Sequence, residues 1–260
     1  MSKAKTVKKA PKNVLTVEES VIKQHLLSMK MSGMAEIFEE QVLDPNSDLD
    51  SFMNRFSAIV NHEWQIRYDK KFKRFLKEAK LRYPQADFDE TLYDKSRKLN
   101  TSVIEKLSTC EWIDEGKNLI ITGLTSSGKT YLSNALCIAA LRQFKTVRYI
   151  RANTLMMEIG RANDDGTYLD YINKISIYDL LAIDDFGLMN LDIEKCLNLF
   201  EVIDGRDGRR STIIISQFPV KAWFDMFADN TYADAILSRI TDRKHSYRIE
   251  MNGKNMRNSE

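Results

Sequence analysis

Cysteine is scarce in this chain of 260 residues. Cys110, Cys137 and Cys196 are odd in number and far apart, which excludes a disulfide framework. None has the paired spacing of zinc ligands, so they read as buried free thiols in a reducing compartment. Long apolar runs are missing too. No stretch approaches the length needed to span a bilayer, and the amino terminus lacks the apolar core of a signal peptide. Net charge is small, +2, so affinity for an anionic partner must come from where the charges cluster. No internal repeat is visible. These absences point to a cytoplasmic protein with no membrane partner. The 43% hydrophobic content is enough for a core in one large or two modest domains, and 29% charged residues suit a water-facing surface.

Residues 1–13 carry Lys3, Lys5, Lys8, Lys9 and Lys12 with no acid, and read as a disordered basic arm. Thr16 and Glu19 have capping-box spacing, and apolar residues follow at helical intervals from Val21 to Met29. The pattern breaks at Ser32 and Gly33 and resumes from Met34 to Val42. A long helix is predicted from Asp50 or Ser51 to Arg82. Its second half is strongly basic, and Lys70, Lys73, Lys77 and Lys80 repeat at helical steps as one stripe, with Arg67 and Arg74 beside it. Such a stripe is either a solvated face or a contact for a phosphate backbone; the local imbalance of charge favours double-stranded DNA. A polar connection over 84–100 has Phe88, Leu92 and Tyr93 as its few anchors, for an adenine pocket or for ordinary packing. Val103 to Glu115 reads as a helix. These readings make residues 14–85 an all-α domain for DNA binding or oligomerisation, and residues 86–260 a second domain.

In that second domain short apolar strands alternate with helices. Strands are predicted near 118–122, 146–150, 179–183, 211–216 and 246–250, as in a five-stranded parallel sheet covered by helices on both faces. The first strand runs into Gly123, Leu124, Thr125, Ser126, Ser127, Gly128, Lys129 and Thr130, and a helix begins near Tyr131. This Gly-x-x-x-x-Gly-Lys-Thr run between strand and helix is a phosphate loop. Its amides and the helix dipole favour anions, Lys129 reaches the β- and γ-phosphates, and the Thr130 hydroxyl suits Mg²⁺. The third strand ends in Asp184 and Asp185, which read as a metal-holding acid and the base for the attacking water. Gln217 closes the fourth strand, where a polar side chain can meet the γ-phosphate or the water. Arg239, alone on an apolar helix, reads as an arginine finger supplied to a neighbouring subunit or as a surface ion pair. Arg257 is a second candidate phosphate sensor. Arg206, Arg209 and Arg210 form a further basic cluster, either a solvated loop or a backbone contact.

The phosphate loop, LLAIDDFG at 180–187, STIIISQFP at 211–219, ADAILSRI at 233–240 and NGKNMR at 252–257, in this order, resemble the IstB family of insertion-sequence AAA+ ATPases. That family is related to the DnaC helicase loader and the DnaA initiator. The resemblance covers nearly the whole chain. It implies an α/β P-loop AAA+ domain with a parallel five-stranded sheet and an all-α amino-terminal domain before it, while the few residues after Arg257 leave no room for a full lid domain. It implies an ATPase using ATP and Mg²⁺ that assembles into a homo-oligomer on DNA, selects target DNA and activates an IstA-like transposase. A DnaC-like helicase loader is the alternative. Carried over by position, residues 123–131 and Arg257 contact the nucleotide, Thr130 and Asp184 hold the metal, and Asp185, Gln217 and Arg239 act in hydrolysis with Lys129. Thr154 to Lys174, with Arg161, would be the extra helix that lines the DNA path. Leu124 and Ser126 stand where the family commonly has Pro and Gly, and a positive φ at 126 would strain a serine. Asp185 stands where most AAA+ enzymes have the longer Glu, which implies slow hydrolysis.

Overall fold

The computed structural model describes residues 13–88 and 101–251. The basic arm up to residue 12, Leu92, Tyr93, the run 252–257 and Arg257 lie outside the described residues. Backbone contacts divide the chain into two compact units, Met1–Lys73 and Arg74–Glu260. The division falls inside a helix, where composition alone places a boundary in the polar connection that follows.

The first unit contains α1 (Val17–Ser28), α2 (Ser32–Leu43) and most of α3 (Phe52–Ala79). The capping box forms: Thr16 donates its amide to the Glu19 carboxylate at 2.7 Å, and the Glu19 amide donates to Thr16 Oγ1 at 3.3 Å. Gly33 lies in the first turn of α2 instead of breaking the helix. A Cβ there would sit 2.7 Å from Ile66 Cδ1 and 3.2 Å from Glu63 Cα, so glycine gives α2 and α3 a close approach that a larger residue would crowd. Glu63 of α3 is buried and accepts from the amides of Gly33 at 2.8 Å and Met34 at 3.3 Å, two donors that a helix start leaves open. Arg67 completes this clasp, giving Nε to Glu63 at 2.6 Å and Nη2 to the Lys30 carbonyl at 2.9 Å. Burial raises the Glu63 carboxyl, but Arg67 and the two amides outweigh it and hold the group below its ordinary value. Arg67, predicted to touch DNA, thus bonds within this unit while more than half of its side chain stays in solvent.

Helix α3 stops at Ala79, short of the predicted Arg82, because Lys80 turns into the left-handed region at φ 52°. Lys80 thus leaves the helical stripe, which keeps Lys70, Lys73 and Lys77. The Tyr83 amide then donates to Asn134 Oδ1 at 2.8 Å, a tertiary bond that replaces further helix.

The second unit is built on five parallel strands in the order β2-β3-β4-β1-β5. They are β1 (Asn118–Gly123), β2 (Val147–Arg151), β3 (Leu180–Asp184), β4 (Ser211–Ser216) and β5 (Ser246–Met251). β3 and β4 are buried along their whole length, as expected of central strands covered on both faces. Before β1 come α4 (Thr101–Ser108) and α5 (Glu111–Asp114). They replace the single helix predicted over 103–115, because buried Cys110 takes φ 63° and turns the chain. That turn lets the Trp112 indole donate to the Leu107 carbonyl at 2.9 Å. All three cysteines are buried and free, and burial pushes the Cys110 thiol up to about 11.

Helix α6 (Lys129–Arg142) connects β1 to β2, and α9 (Ile193–Asp204) connects β3 to β4. Two helices, α7 (Ala152–Asp164) and α8 (Tyr168–Ser176), fill the crossover from β2 to β3 where one extra helix is implied by the family pattern. Their apolar faces join α9, α10 (Asn230–Thr241), Trp223 and Phe227 in the main core against Ile183 and Ile214. Arg206 leaves the predicted surface cluster and enters the interior. Its guanidinium donates to the carbonyls of Ile175, Ser176, Tyr178 and Ser211 and to Thr212 Oγ1. Burial pushes its pKa down to about 9, so it remains charged at neutral pH. Arg210 pairs with Asp179, and Arg209 is exposed. Arg206 is a rivet of the fold, with no free edge for DNA.

Candidate functional site

Parallel strands aim their carboxyl ends at one edge of the sheet, and there β1 and β3 deliver the phosphate loop and the two acids. Gly123 ends β1 at φ 146°; a Cβ on it would lie 2.3 Å from the Met251 carbonyl of β5. Gly128 opens α6 at φ 91°, a conformation that costs a larger residue. Ser126 adopts φ 62° between them. A serine in that region is strained by about 1 kcal/mol relative to glycine, which is the anticipated weakness of this loop.

Lys129 folds its ammonium over the loop, donating to the carbonyls of Gly123 at 2.8 Å and Leu124 at 2.7 Å. Burial lowers its pKa, and Asp184 and Asp185 pull the other way. Ser127 Oγ is buried with no hydrogen-bond partner, an orphan polar atom in the floor of the loop. Thr130 Oγ1 donates to Asp184 Oδ2 at 2.8 Å. That bond uses the only hydroxyl proton and leaves the oxygen lone pairs for a cation. A hydroxyl and a carboxylate side by side are the hard oxygen donors that Mg²⁺ takes together with phosphate. Among the described residues no group of three or more His, Cys, Asp or Glu converges as a metal site. The residues present therefore fit Mg²⁺ held jointly with a nucleotide, and do not form a cage of their own.

Asp184 is 2% exposed, and its Oδ1 accepts the Asp185 amide at 2.8 Å. Asp185 stands just beyond β3 at φ 57°, with its carboxylate partly in solvent. Arg151 Nε lies 3.6 Å from Asp185 Oδ2. Gln217 joins the site from β4: Thr125 Oγ1 of the loop donates to Gln217 Oε1 at 2.9 Å. Tyr131 contacts the segment before β1. Its hydroxyl accepts the Asp87 amide at 3.1 Å, and its ring meets Tyr83 at 5.9 Å. The structure thus brings together residues 123–130, Asp184, Asp185 and Gln217.

A family model for IstB-like ATP binding proteins matches residues 24–260. The chain belongs to the IstB family. The insertion sequence ATP-binding protein y4pL of Sinorhizobium fredii is 36% identical over 235 residues, covering 90% of this chain and 95% of that protein. The ATP-binding protein of insertion sequence IS1162 from Pseudomonas fluorescens is 36% identical over 200 residues, covering 75% and 87%. Among solved structures, the DnaC helicase loader superposes with a TM-score of 0.50 at 16% identity, covering 58% of this chain and 87% of that one. DnaI gives 0.51 at 20%, covering 58% and 82%. A DNA replication initiation factor also gives 0.51 at 16%, and this chain spans 50% of its length. These likenesses show a P-loop AAA+ fold.

Other predicted IstB residues lie elsewhere. Arg239 is at the opposite end of the sheet, where its carbonyl accepts from Asn118 at the start of β1. It pairs with Asp204 at 2.8 Å and lies over the Phe200 ring. β1 alone spans roughly 17 Å between that end and the phosphate loop, so Arg239 does not serve the site of its own chain. Lys70, Lys73 and Lys77 are exposed, Arg74 lies over Phe75 and 4.0 Å from Glu78, and Arg161 is exposed on α7. Two site residues escaped the sequence reading, Tyr149 and Arg151 of β2. Their alternation on one strand was visible, but not that β2 lies beside β3 with Arg151 in register with Asp184. Among the described residues no helix is long and apolar enough to cross a membrane.

Proposed function

We propose that this IstB protein is an ATPase that assembles as a homo-oligomer on double-stranded DNA in the cytoplasm, selects target DNA and activates the transposase of its insertion sequence. The observation that carries this reading is the convergence of Lys129, Thr130, Asp184, Asp185 and Gln217 at one sheet edge in a chain of insertion-sequence ATP-binding kin. The loop amides and Lys129 hold the phosphates. Thr130 and Asp184 would hold Mg²⁺ together with the nucleotide, where it would supply charge neutralisation on the phosphate oxygens. Asp185 orients the water and takes its proton, Gln217 holds the γ-phosphate side of the site, and Arg239 of a neighbouring subunit meets the charge that develops. Asp185 reaches one methylene less far than a glutamate, so turnover is slow and rises with assembly or DNA.

Lys70, Lys73 and Lys77 contact phosphate, a role for point charges without base reading. Replacing all three by Gln should weaken binding of a mixed-sequence duplex and flatten its salt dependence by up to three units of slope, with nucleotide binding retained. Fluorescence anisotropy over a salt series, with and without ATP, reads this. Unchanged affinity and slope would make the stripe a solvated face and pass the role to Arg161.

The likeness of fold to the DnaC helicase loader favours a second reading, a loader for a replicative helicase. Affinity purification from a cell carrying the intact element separates the two. The transposase is the expected ATP-dependent partner; recovery of the replicative helicase in its place would reverse the assignment.

A further inference from the structure

The acid assigned to the metal is held from two sides, and only one of them belongs to the phosphate loop. Tyr149 of β2 donates its hydroxyl to Asp184 Oδ2 at 2.6 Å, on the same oxygen that accepts from Thr130 at 2.8 Å. Tyr149 is 5% exposed and Asp184 is 2% exposed, so water does not stand in for either partner. An ionised carboxylate only accepts, so the phenol must be the donor, and a charge-assisted bond of this kind is short and strong. The sheet dictates the meeting. β2 pairs with β3 in parallel, Tyr149 lies opposite Ala182 and Arg151 opposite Asp184, which carries the phenol to the tip of β3. Arg151, from the same strand, faces Asp185 at 3.6 Å with half of its side chain in solvent, a pair of little strength. β2 therefore grips the two neighbouring acids differently, one through a buried short bond and the other through an exposed loose one.

We infer that Tyr149 is a positioning residue for magnesium: its hydroxyl fixes the rotation of the Asp184 carboxylate beside Thr130, so that the Thr130 oxygen would meet the cation while the acid would meet the cation's water shell. The inference rests on the Mg²⁺–ATP reading of this site. Thr130 cannot do this alone, because its own oxygen must serve the cation and shifts with it. Tyr149 acts through Asp184, the acid its hydroxyl bonds. Groups that orient a metal ligand in this way commonly alter metal affinity by roughly 10-fold or more when removed. The phenylalanine variant keeps the ring and its packing and deletes only the bond.

The test uses the full chain and a fluorescent ATP analogue. Binding is measured first in EDTA and then as a function of Mg²⁺. Tyr149→Phe should bind the analogue in EDTA as the natural chain does, and should require roughly 10-fold more Mg²⁺ to reach half of the magnesium-dependent enhancement. In an Asp184→Asn background the same change should have no further effect on the magnesium midpoint, since the carboxylate it positions is gone. An unchanged midpoint in Tyr149→Phe, or an equal shift with and without Asp184, would overturn the assignment. Loss of binding in EDTA would overturn it too, by showing that the hydroxyl supports the fold. A natural chain whose binding ignores Mg²⁺ would instead remove the magnesium reading on which the assignment stands.

Discussion

Asp185→Asn is expected to bind ATP with near-natural affinity and to hydrolyse it about 10²- to 10⁴-fold more slowly, the range of a lost general base. The side chain stands past the end of β3, outside the cradle made by residues 123–130, so binding does not need its charge. Hydrolysis does, because the water must lose a proton as it attacks and an amide cannot take one. Asparagine keeps the size of the side chain, and it tolerates the left-handed conformation that Asp185 adopts at φ 57°. The backbone therefore has no reason to move. Asp184 retains its bonds from Thr130 and Tyr149 and keeps the other half of the site intact. Single-turnover hydrolysis alongside equilibrium binding of a fluorescent ATP analogue separates the two effects. Hydrolysis at the natural rate would mean that another group activates the water.

Arg239→Ala and Lys129→Ala should each abolish turnover when alone, and should recover part of it when mixed. Lys129→Ala removes the cation that folds over the loop, while Arg151 of β2 faces Asp185. Arg239→Ala removes nothing from its own site, since it lies at the far end of the sheet beside Asp204 and Asn118. The loss is felt only if subunits associate head to tail, with the amino edge of one sheet against the carboxyl edge of the next. At equal concentrations, roughly a quarter of such heterologous interfaces would combine an intact loop with an intact arginine. Steady-state hydrolysis of the mixture, at concentrations where the natural chain is oligomeric, gives the readout. Full activity from a strictly monomeric natural sample would exclude the arrangement and leave Arg239 as the ion pair it forms with Asp204.

The phosphate loop, the acids at the end of β3 and the five strands were legible in the sequence because their signals are local. A glycine that must take positive φ, an apolar run of strand length and a helix-starting lysine depend on a few neighbours. The same holds for the capping box at Thr16 and Glu19, which closes within one turn. Side-chain fate depended on distant partners. Arg67 and Arg206 both look like free surface cations in sequence, yet one holds Glu63 beside the start of α2 and the other is buried among carbonyls of two stretches, 175–178 and 211. Lys80 was counted into a stripe by a helical period that the chain abandons at Ala79. Strand order is the least local property of all. Nothing near Tyr149 says that β2 lies next to β3 and not next to β1, so the bond to Asp184 appears only once the sheet is assembled. Local chemistry thus determined that a phosphate site exists and where the chain makes it. The pairing of strands remote in sequence decided which side chains surround it, because hydrogen bonds between strands, and not neighbours along the chain, set which carboxylate a given hydroxyl can reach.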